Sequence, residues 1–270
     1  MTDLVTERIL ENPALCIDHA GRGELVILMH GIGGNRTNWT EQVKALSAHF
    51  HVVAWDARGY GGSDDYDGAL DFNDFAHDLL RVLDHFEAET AHIGGLSMGG
   101  RISQVFYNLY PERVKTLSLI ATFTGFDDFS DVEKQKFVDL RLKPLVEDGK
   151  EVSDIAPVVA KTLVGPHATE EQYQQLVESM CQLHKESYIK TVRSTTTFNQ
   201  NDMLETIRVP TLWVFGEDDS LTSPEIGAAM AAKIQDCEYT AIPRAGHLIN
   251  LEQSALFTER LLTFLLKHRG

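Results

Sequence analysis

Cysteine is scarce in this chain of 270 residues: Cys16, Cys181 and Cys237 form an odd, widely spaced set. They provide no disulfide framework and no CxxC pair, the usage expected in a reducing compartment. Long apolar runs are missing too. No segment reaches the roughly 18 uninterrupted apolar residues of a membrane-spanning helix, and the opening MTDLVTERIL is charged where a signal peptide is apolar. Basic residues are outnumbered, 24 Lys and Arg against 40 Asp and Glu, giving a formal charge of −16. Such a surface does not release phosphate counterions, so neither nucleic acid nor an anionic membrane is an expected partner. Metal-ligand spacings such as HExxH are absent, and no GxGxxG follows the first strand, so no metal and no cofactor is expected. These absences leave a cytoplasmic globular protein, and a hydrophobic fraction of 43% gives it ample material for one large core.

What is present is an alternation. Short β-rich runs LVILM (25–29), HVVAW (51–55), AHI (91–93), TLSLI (116–120), TLWVF (211–215) and EYTAI (238–242) are separated by helix-like stretches at 73–86, 98–110 and 224–234. The first, second and fifth runs are almost continuously apolar, as strands covered on both faces by helices are. Ser223 before Pro224 reads as a helix cap followed by a first-turn proline. The pattern predicts an α/β fold with a mostly parallel, doubly wound sheet. From about Phe123 to Glu205 no strand is visible, only helical sequence such as TEEQYQQLVESMCQL. That is too long for a crossover and predicts an inserted helical cap at 123–205, with the core formed by 1–122 and 206–270.

Within GGLSMGG, Gly95-Leu96-Ser97-Met98-Gly99 is a G-x-S-x-G placed between a strand and a helix. A sharp turn there strains the serine backbone, and glycines on either side relieve collisions with the neighbouring strand and helix. Ser97 then stands at a helix N-terminus, where the Met98 N–H meets a developing oxyanion. A serine hydroxyl needs a base, and the base needs an orienting acid. Gly216-Glu217-Asp218-Asp219 follows one strand and Ala245-Gly246-His247 follows the next, in the chain order serine, acid, histidine. Glu217, Asp218 and Asp219 all compete for the acid. The loop His30-Gly31-Ile32-Gly33-Gly34 presents the Ile32 N–H as a second oxyanion donor, with His30 shaping the loop beside the site.

HGIGG, DARGYGGS (56–63), GLSMGG, GEDD and AGH together resemble the α/β-hydrolase superfamily, over essentially the whole chain except the cap. The resemblance implies the α/β-hydrolase fold. It selects Asp219, the fourth position of G-x-x-D, as the acid, and the residue after the H-G pair, Ile32, as an oxyanion donor. Asp56 and Arg58 fall to structural roles. Dehalogenases and epoxide hydrolases of this fold carry aspartate where Ser97 stands, so they are excluded. From IRVPTLWVFGEDD through AGHLINLEQ the sequence is similar to 3-oxoadipate enol-lactonases, which open a small lactone bearing a carboxylate; small carboxylesterases are equally close in appearance. The expected activity is therefore hydrolysis of a small-molecule ester or lactone by acyl transfer. Carbon–carbon hydrolysis of a vinylogous diketone is the rival within enzymes, and a non-catalytic ligand-binding protein on the same scaffold is the rival outside them. Substrate contacts are expected from His30, from Phe123 and Phe126 at the start of the cap, and from Arg101, Arg141 and Arg193 as anchors for an anion. Phe129, Lys143 and Lys190 are secondary candidates.

Overall fold

A computed structural model describes residues 3–126 and 129–270. The first two residues of the charged N-terminal stretch, and 127–128 of the inserted segment, lie outside the described residues. Among the described residues eight strands form one sheet: β1 (Val5–Ile9), β2 (Leu15–Gly21), β3 (Leu25–Met29), β4 (His51–Trp55), β5 (Ala91–Leu96), β6 (Val114–Ile120), β7 (Thr211–Gly216) and β8 (Cys237–Ile242). Their order is β1-β2-β4-β3-β5-β6-β7-β8. β1–β2 and β2–β4 pair antiparallel; every other pairing is parallel. All residues of β3, β5 and β7 are buried, which explains their unbroken apolar or glycine-rich sequences.

The six predicted strands are all present, and two more appear at the antiparallel edge. β1 (VTERI) has polar and charged residues at its centre and buries only Ile9. β2 carries the buried Asp18, whose Oδ1 accepts from Arg36 Nε at 3.0 Å, so its charge conceals a buried strand. β5 runs three residues past its apolar core, because Gly94 and Gly95 pair with Ser118 and Leu119 of β6. Glycine carries little strand signal, so the periodicity stops at Ile93 while the ladder continues to the turn.

The helices that flank the sheet are α1 (Thr40–Leu46), α2 (Phe72–His85) and α3 (Met98–Leu109). Between β6 and β7 come α4 (Asp131–Val146), α5 (Val152–Lys161), α6 (Glu170–Met180) and α7 (Lys185–Thr197). After β7 come α8 (Pro224–Ala231), α9 (Ile249–Glu252) and α10 (Ser254–Lys267). α2 packs on α3, and α1 on α10. α5 packs on α6 and α4 on α7, and α6 reaches the turn at 36–39 beside the HGIGG loop. Ser223 is the N-cap of α8 and Pro224 its first residue, but Ser223 makes no capping bond to the helix backbone; its hydroxyl donates to Glu225 instead. No helix among the described residues is long and apolar enough to cross a membrane.

Candidate active site

Ser97 occupies the turn between β5 and α3 with φ 52° and ψ −107°, a region that costs a non-glycine residue about 1–3 kcal/mol. Three bonds hold it there. Its N–H donates to Ile120 O (2.8 Å), and its carbonyl accepts from Thr122 Oγ1 (2.8 Å) and Arg101 N (3.2 Å). The glycines on each side are sterically required: a Cβ on Gly95 would lie 2.1 Å from Gly99 C, and one on Gly99 would lie 2.3 Å from Met29 O.

β7 and β8 end on the same sheet edge and bring the other two residues together. His247 and Asp219 are both almost fully buried, 3% and 5% exposed, and 2.9 Å separates His247 Nδ1 from Asp219 Oδ2. Asp219 also accepts from the amides of Leu221 and Thr222 (both 2.9 Å) and from the Thr222 hydroxyl. Burial pushes its carboxyl up, but the neighbouring His247 and the Thr222 bonds outweigh that and hold it below the usual carboxylate range. An ionised carboxylate only accepts, so Nδ1 carries the hydrogen and Nε2 keeps the lone pair of the neutral ring. Of the three competing acids, Glu217 is exposed, Asp218 lies 3.8 Å from His167, and Asp219 alone reaches His247.

Ser97 and His247 line one cavity of about 320 Å³, together with Ile32 and Met98. Met98 opens α3, so its N–H has no intrahelical acceptor. In the 31–34 turn, Gly34 N donates to Gly31 O at 2.9 Å, a bond that does not use the Ile32 N–H. His30 also lines the cavity, but both ring nitrogens are engaged: Nδ1 donates to Gly31 O (2.8 Å) and Nε2 accepts from Ala57 N (3.1 Å). Burial lowers its pKa, keeping it neutral, so it shapes the loop and offers no polar atom to a ligand.

Phe123, Phe126, Phe129, Arg101 and Arg141 line the same cavity. Arg193 does not: it is exposed on α7, on the face turned from the buried Tyr188, Thr191, Val192 and Thr195. Lys143 is exposed, and Lys190 is engaged with Tyr66, its Nζ 2.8 Å from the Tyr66 carbonyl. Asp56 and Arg58 stand outside the cavity lining; Asp56 accepts from the Arg36 and Gly62 amides (both 2.7 Å), and Arg58 Nε pairs with Asp78 at 2.6 Å. Residues with no motif complete the wall, among them Asn38, Trp39, Leu163, Thr195 and Asn250. Among the described residues no group of three or more His, Cys, Asp or Glu is placed to hold a metal ion.

The family model of the α/β-hydrolase fold matches residues 24–254. The chain belongs to the α/β-hydrolase family. A 2-hydroxy-6-oxononadienedioate/2-hydroxy-6-oxononatrienedioate hydrolase of Paraburkholderia phymatum is 27% identical over 90% of this chain and 87% of its own length. The 3-oxoadipate enol-lactonase 1 of Acinetobacter baylyi is 24% identical over 95% and 94%. A thermophilic esterase from Thermogutta terrifontis, solved with malate bound, is 26% identical with a TM-score of 0.88, covering 99% of this chain and 100% of that one. Similarity of this degree extends the hydrolase fold over the whole chain, while the bonds these relatives are named for differ.

Proposed function

We propose that the protein is a serine hydrolase cleaving a small ester or lactone through an acyl-enzyme, with Ser97 as nucleophile, His247 as base and Asp219 as orienting acid. The observation that carries this is the strained Ser97 sharing a cavity with a histidine whose Nδ1 is already bound to a buried carboxylate. His247 Nε2 takes the Ser97 proton as Oγ bonds to the substrate carbonyl carbon. The carbonyl electron pair moves onto oxygen, where the Ile32 and Met98 N–H groups receive it. The pair returns as the carbon–oxygen bond to the leaving alkoxide breaks, and His247 delivers its proton to that oxygen. Water then repeats the sequence on the acyl-enzyme, releasing the acid and restoring Ser97. We infer that 123–205 acts as a cap on the core of 1–122 and 206–270, since α4, α6, α7 and the turn after α5 (Thr162 and Leu163) contribute cavity residues that the sheet cannot.

The rival is carbon–carbon cleavage by the same three residues, which the Paraburkholderia relative favours. The test is turnover of 3-oxoadipate enol-lactone, p-nitrophenyl acetate and a vinylogous diketone by wild type and by Ser97→Ala. Ester or lactone hydrolysis that falls by several orders of magnitude in the variant is expected. Activity surviving Ser97→Ala refutes the mechanism; faster turnover of the diketone replaces the ester reading with the rival; no turnover of any of them leaves a binding protein.

A further inference from the structure

Two guanidinium groups stand in the wall of the cavity, Arg101 from α3 and Arg141 from α4, only 6% and 2% exposed. The other buried or half-buried arginines follow the usual rule of pairing with a carboxylate: Arg36 with Asp18, Arg58 with Asp78, Arg81 with Asp78, Arg113 with Asp84 and Arg260 with Glu238. Among the described residues no Asp or Glu pairs with Arg101 or Arg141, and the Nε of each has no acceptor. Aromatic rings hold them instead. Arg101 lies 4.7 Å from the centroid of Phe126 and 5.6 Å from that of Phe198; Arg141 lies 3.8 Å from Phe137, itself 5.5 Å from Phe126. Arg141 Nη1 donates to Phe137 O at 3.1 Å and the guanidinium stands beside the buried Tyr188 hydroxyl, whereas Arg101 has no side-chain hydrogen bond among the described residues. Thr195, buried on the same wall, leaves its hydroxyl unpartnered as well.

A ring face replaces only part of the hydration that a buried guanidinium loses, and a buried charge is ordinarily paired. Burial draws Arg101 down from its ordinary value to about 9, which leaves it cationic at neutral pH. This end of the cavity is thus rich in donors and short of acceptors. Glu133 also lines the cavity, but on the exposed side of α4, where its carboxylate accepts from Ser130 N at 2.8 Å.

We propose that the site is built for a substrate whose acyl half ends in a carboxylate, with Arg101 as its anchor and Arg141 as a second donor. The proposal rests on the serine-hydrolase reading and names the substrate class for that site. The guanidinium fork matches the two oxygens of a planar carboxylate. Arg101 follows Ser97 by one helical turn, about 6 Å of rise, so the anion and the scissile carbonyl belong to one short acyl chain. The acyl half is the half that stays on Ser97 while the alcohol departs, and Arg101 is fixed relative to Ser97 by the same helix, α3.

The experiment compares kcat/KM for mono-p-nitrophenyl glutarate with that for p-nitrophenyl butyrate, in wild type, Arg101→Gln, Arg101→Lys and Arg141→Gln. It also measures competitive inhibition of wild type by glutarate against glutaramide. The expected result is preference for the glutarate ester, a fall in that preference on the order of 100-fold in Arg101→Gln, partial recovery in Arg101→Lys and a smaller fall in Arg141→Gln. Glutarate inhibits and glutaramide does not. Equal loss on both esters in Arg101→Gln, or equal inhibition by the diacid and the diamide, overturns the proposal while leaving the hydrolase intact. Wild type inert on both esters and on the substrates named above removes the hydrolase reading itself. The inhibition measurement needs no variant, so a misfolded Arg101→Gln does not protect the idea.

Discussion

Replacing Glu252 by glutamine tests how the His247 loop is held against the segment that precedes α6. Glu252 is 7% exposed, and its Oε2 accepts from Gly246 N (2.9 Å) and Gly165 N (3.0 Å) while Oε1 accepts from Leu248 N (3.2 Å). His247 itself donates its backbone N–H to Leu163 O at 3.2 Å. One buried carboxylate therefore ties both neighbours of the histidine to Gly165. Glutamine keeps the volume but offers one carbonyl oxygen and an NH2 group. Turned to suit Gly246 and Gly165, it leaves the Leu248 amide facing another donor. One lost bond to a charged group is worth about 1.5–3 kcal/mol. At roughly 2–4 °C per kcal/mol for a chain of this size, the melting temperature falls by about 3–12 °C. Small displacements of a catalytic group cost up to about 10²-fold in rate, so kcat for p-nitrophenyl acetate falls about 10- to 100-fold with KM little changed. Thermal melting followed by circular dichroism and initial-rate kinetics provide both readouts. A variant that melts with wild type and keeps its kcat refutes the clamp.

Two further perturbations probe the elbow and the sheet edge. Gly99→Ala places a Cβ 2.3 Å from Met29 O and 2.7 Å from Met29 C, backbone atoms of β3 that have nowhere to go. α3 must lift from the sheet and carry Ser97 with it, so ester hydrolysis falls on the order of 10²-fold and the melting temperature drops; near-wild-type kinetics would contradict the steric account. The Glu24 carboxyl is raised by burial, but its bonds from Lys115 Nζ (2.7 Å), His92 Nε2 (3.1 Å) and Gly270 N (3.0 Å) prevail and hold it at about 2 against an ordinary 4.5. A lowered folded value means the stabilisation is present above the ordinary pKa and is lost as the pH falls toward the folded one. Wild type therefore out-melts Glu24→Gln near neutral pH, and the gap closes between pH 4.5 and 2; a gap that stays constant across that range rules the linkage out.

The parallel centre of the sheet was legible because burial on both faces writes itself as LVILM, HVVAW and TLWVF. The antiparallel edge was not, because an edge strand exposes one side and β2 hides its burial under Asp18 and His19. Asp18 is buried only because Arg36, about one strand and one loop further on, pairs with it. No local pattern announces such a partner. The same reason explains β5, which continues through two glycines whose ladder partners lie on β6. Ser223 shows the reverse error: residue type and spacing place a cap correctly, but Glu225 competes for the hydroxyl and wins.

The candidate site divides along the same line. Ser97, Asp219, His247, Ile32 and Met98 sit where a strand ends, and the backbone at such a turn restricts which residues fit; the two glycines beside Ser97 exist because any Cβ would meet main chain at about 2 Å. Backbone constraints are local, so they leave motifs. The proposed substrate contacts come from side chains on helices that meet only after folding. Arg141 and Arg193 are equally plausible on paper, each a cation in a helical stretch, yet one is 2% exposed over Phe137 and the other faces solvent. What separates them is the company each keeps in three dimensions: Phe126 and Phe137 are eleven residues apart in sequence and 5.5 Å apart in space. The role of Glu252 is likewise not readable locally, since it depends on joining two amides of its own loop, Gly246 and Leu248, to that of Gly165, far away in sequence. Specificity in this chain is therefore a tertiary property laid over a local one. It follows that variants of the strand-end residues should abolish turnover of every substrate alike, whereas variants of Arg101 and Arg141 should reorder substrates relative to one another.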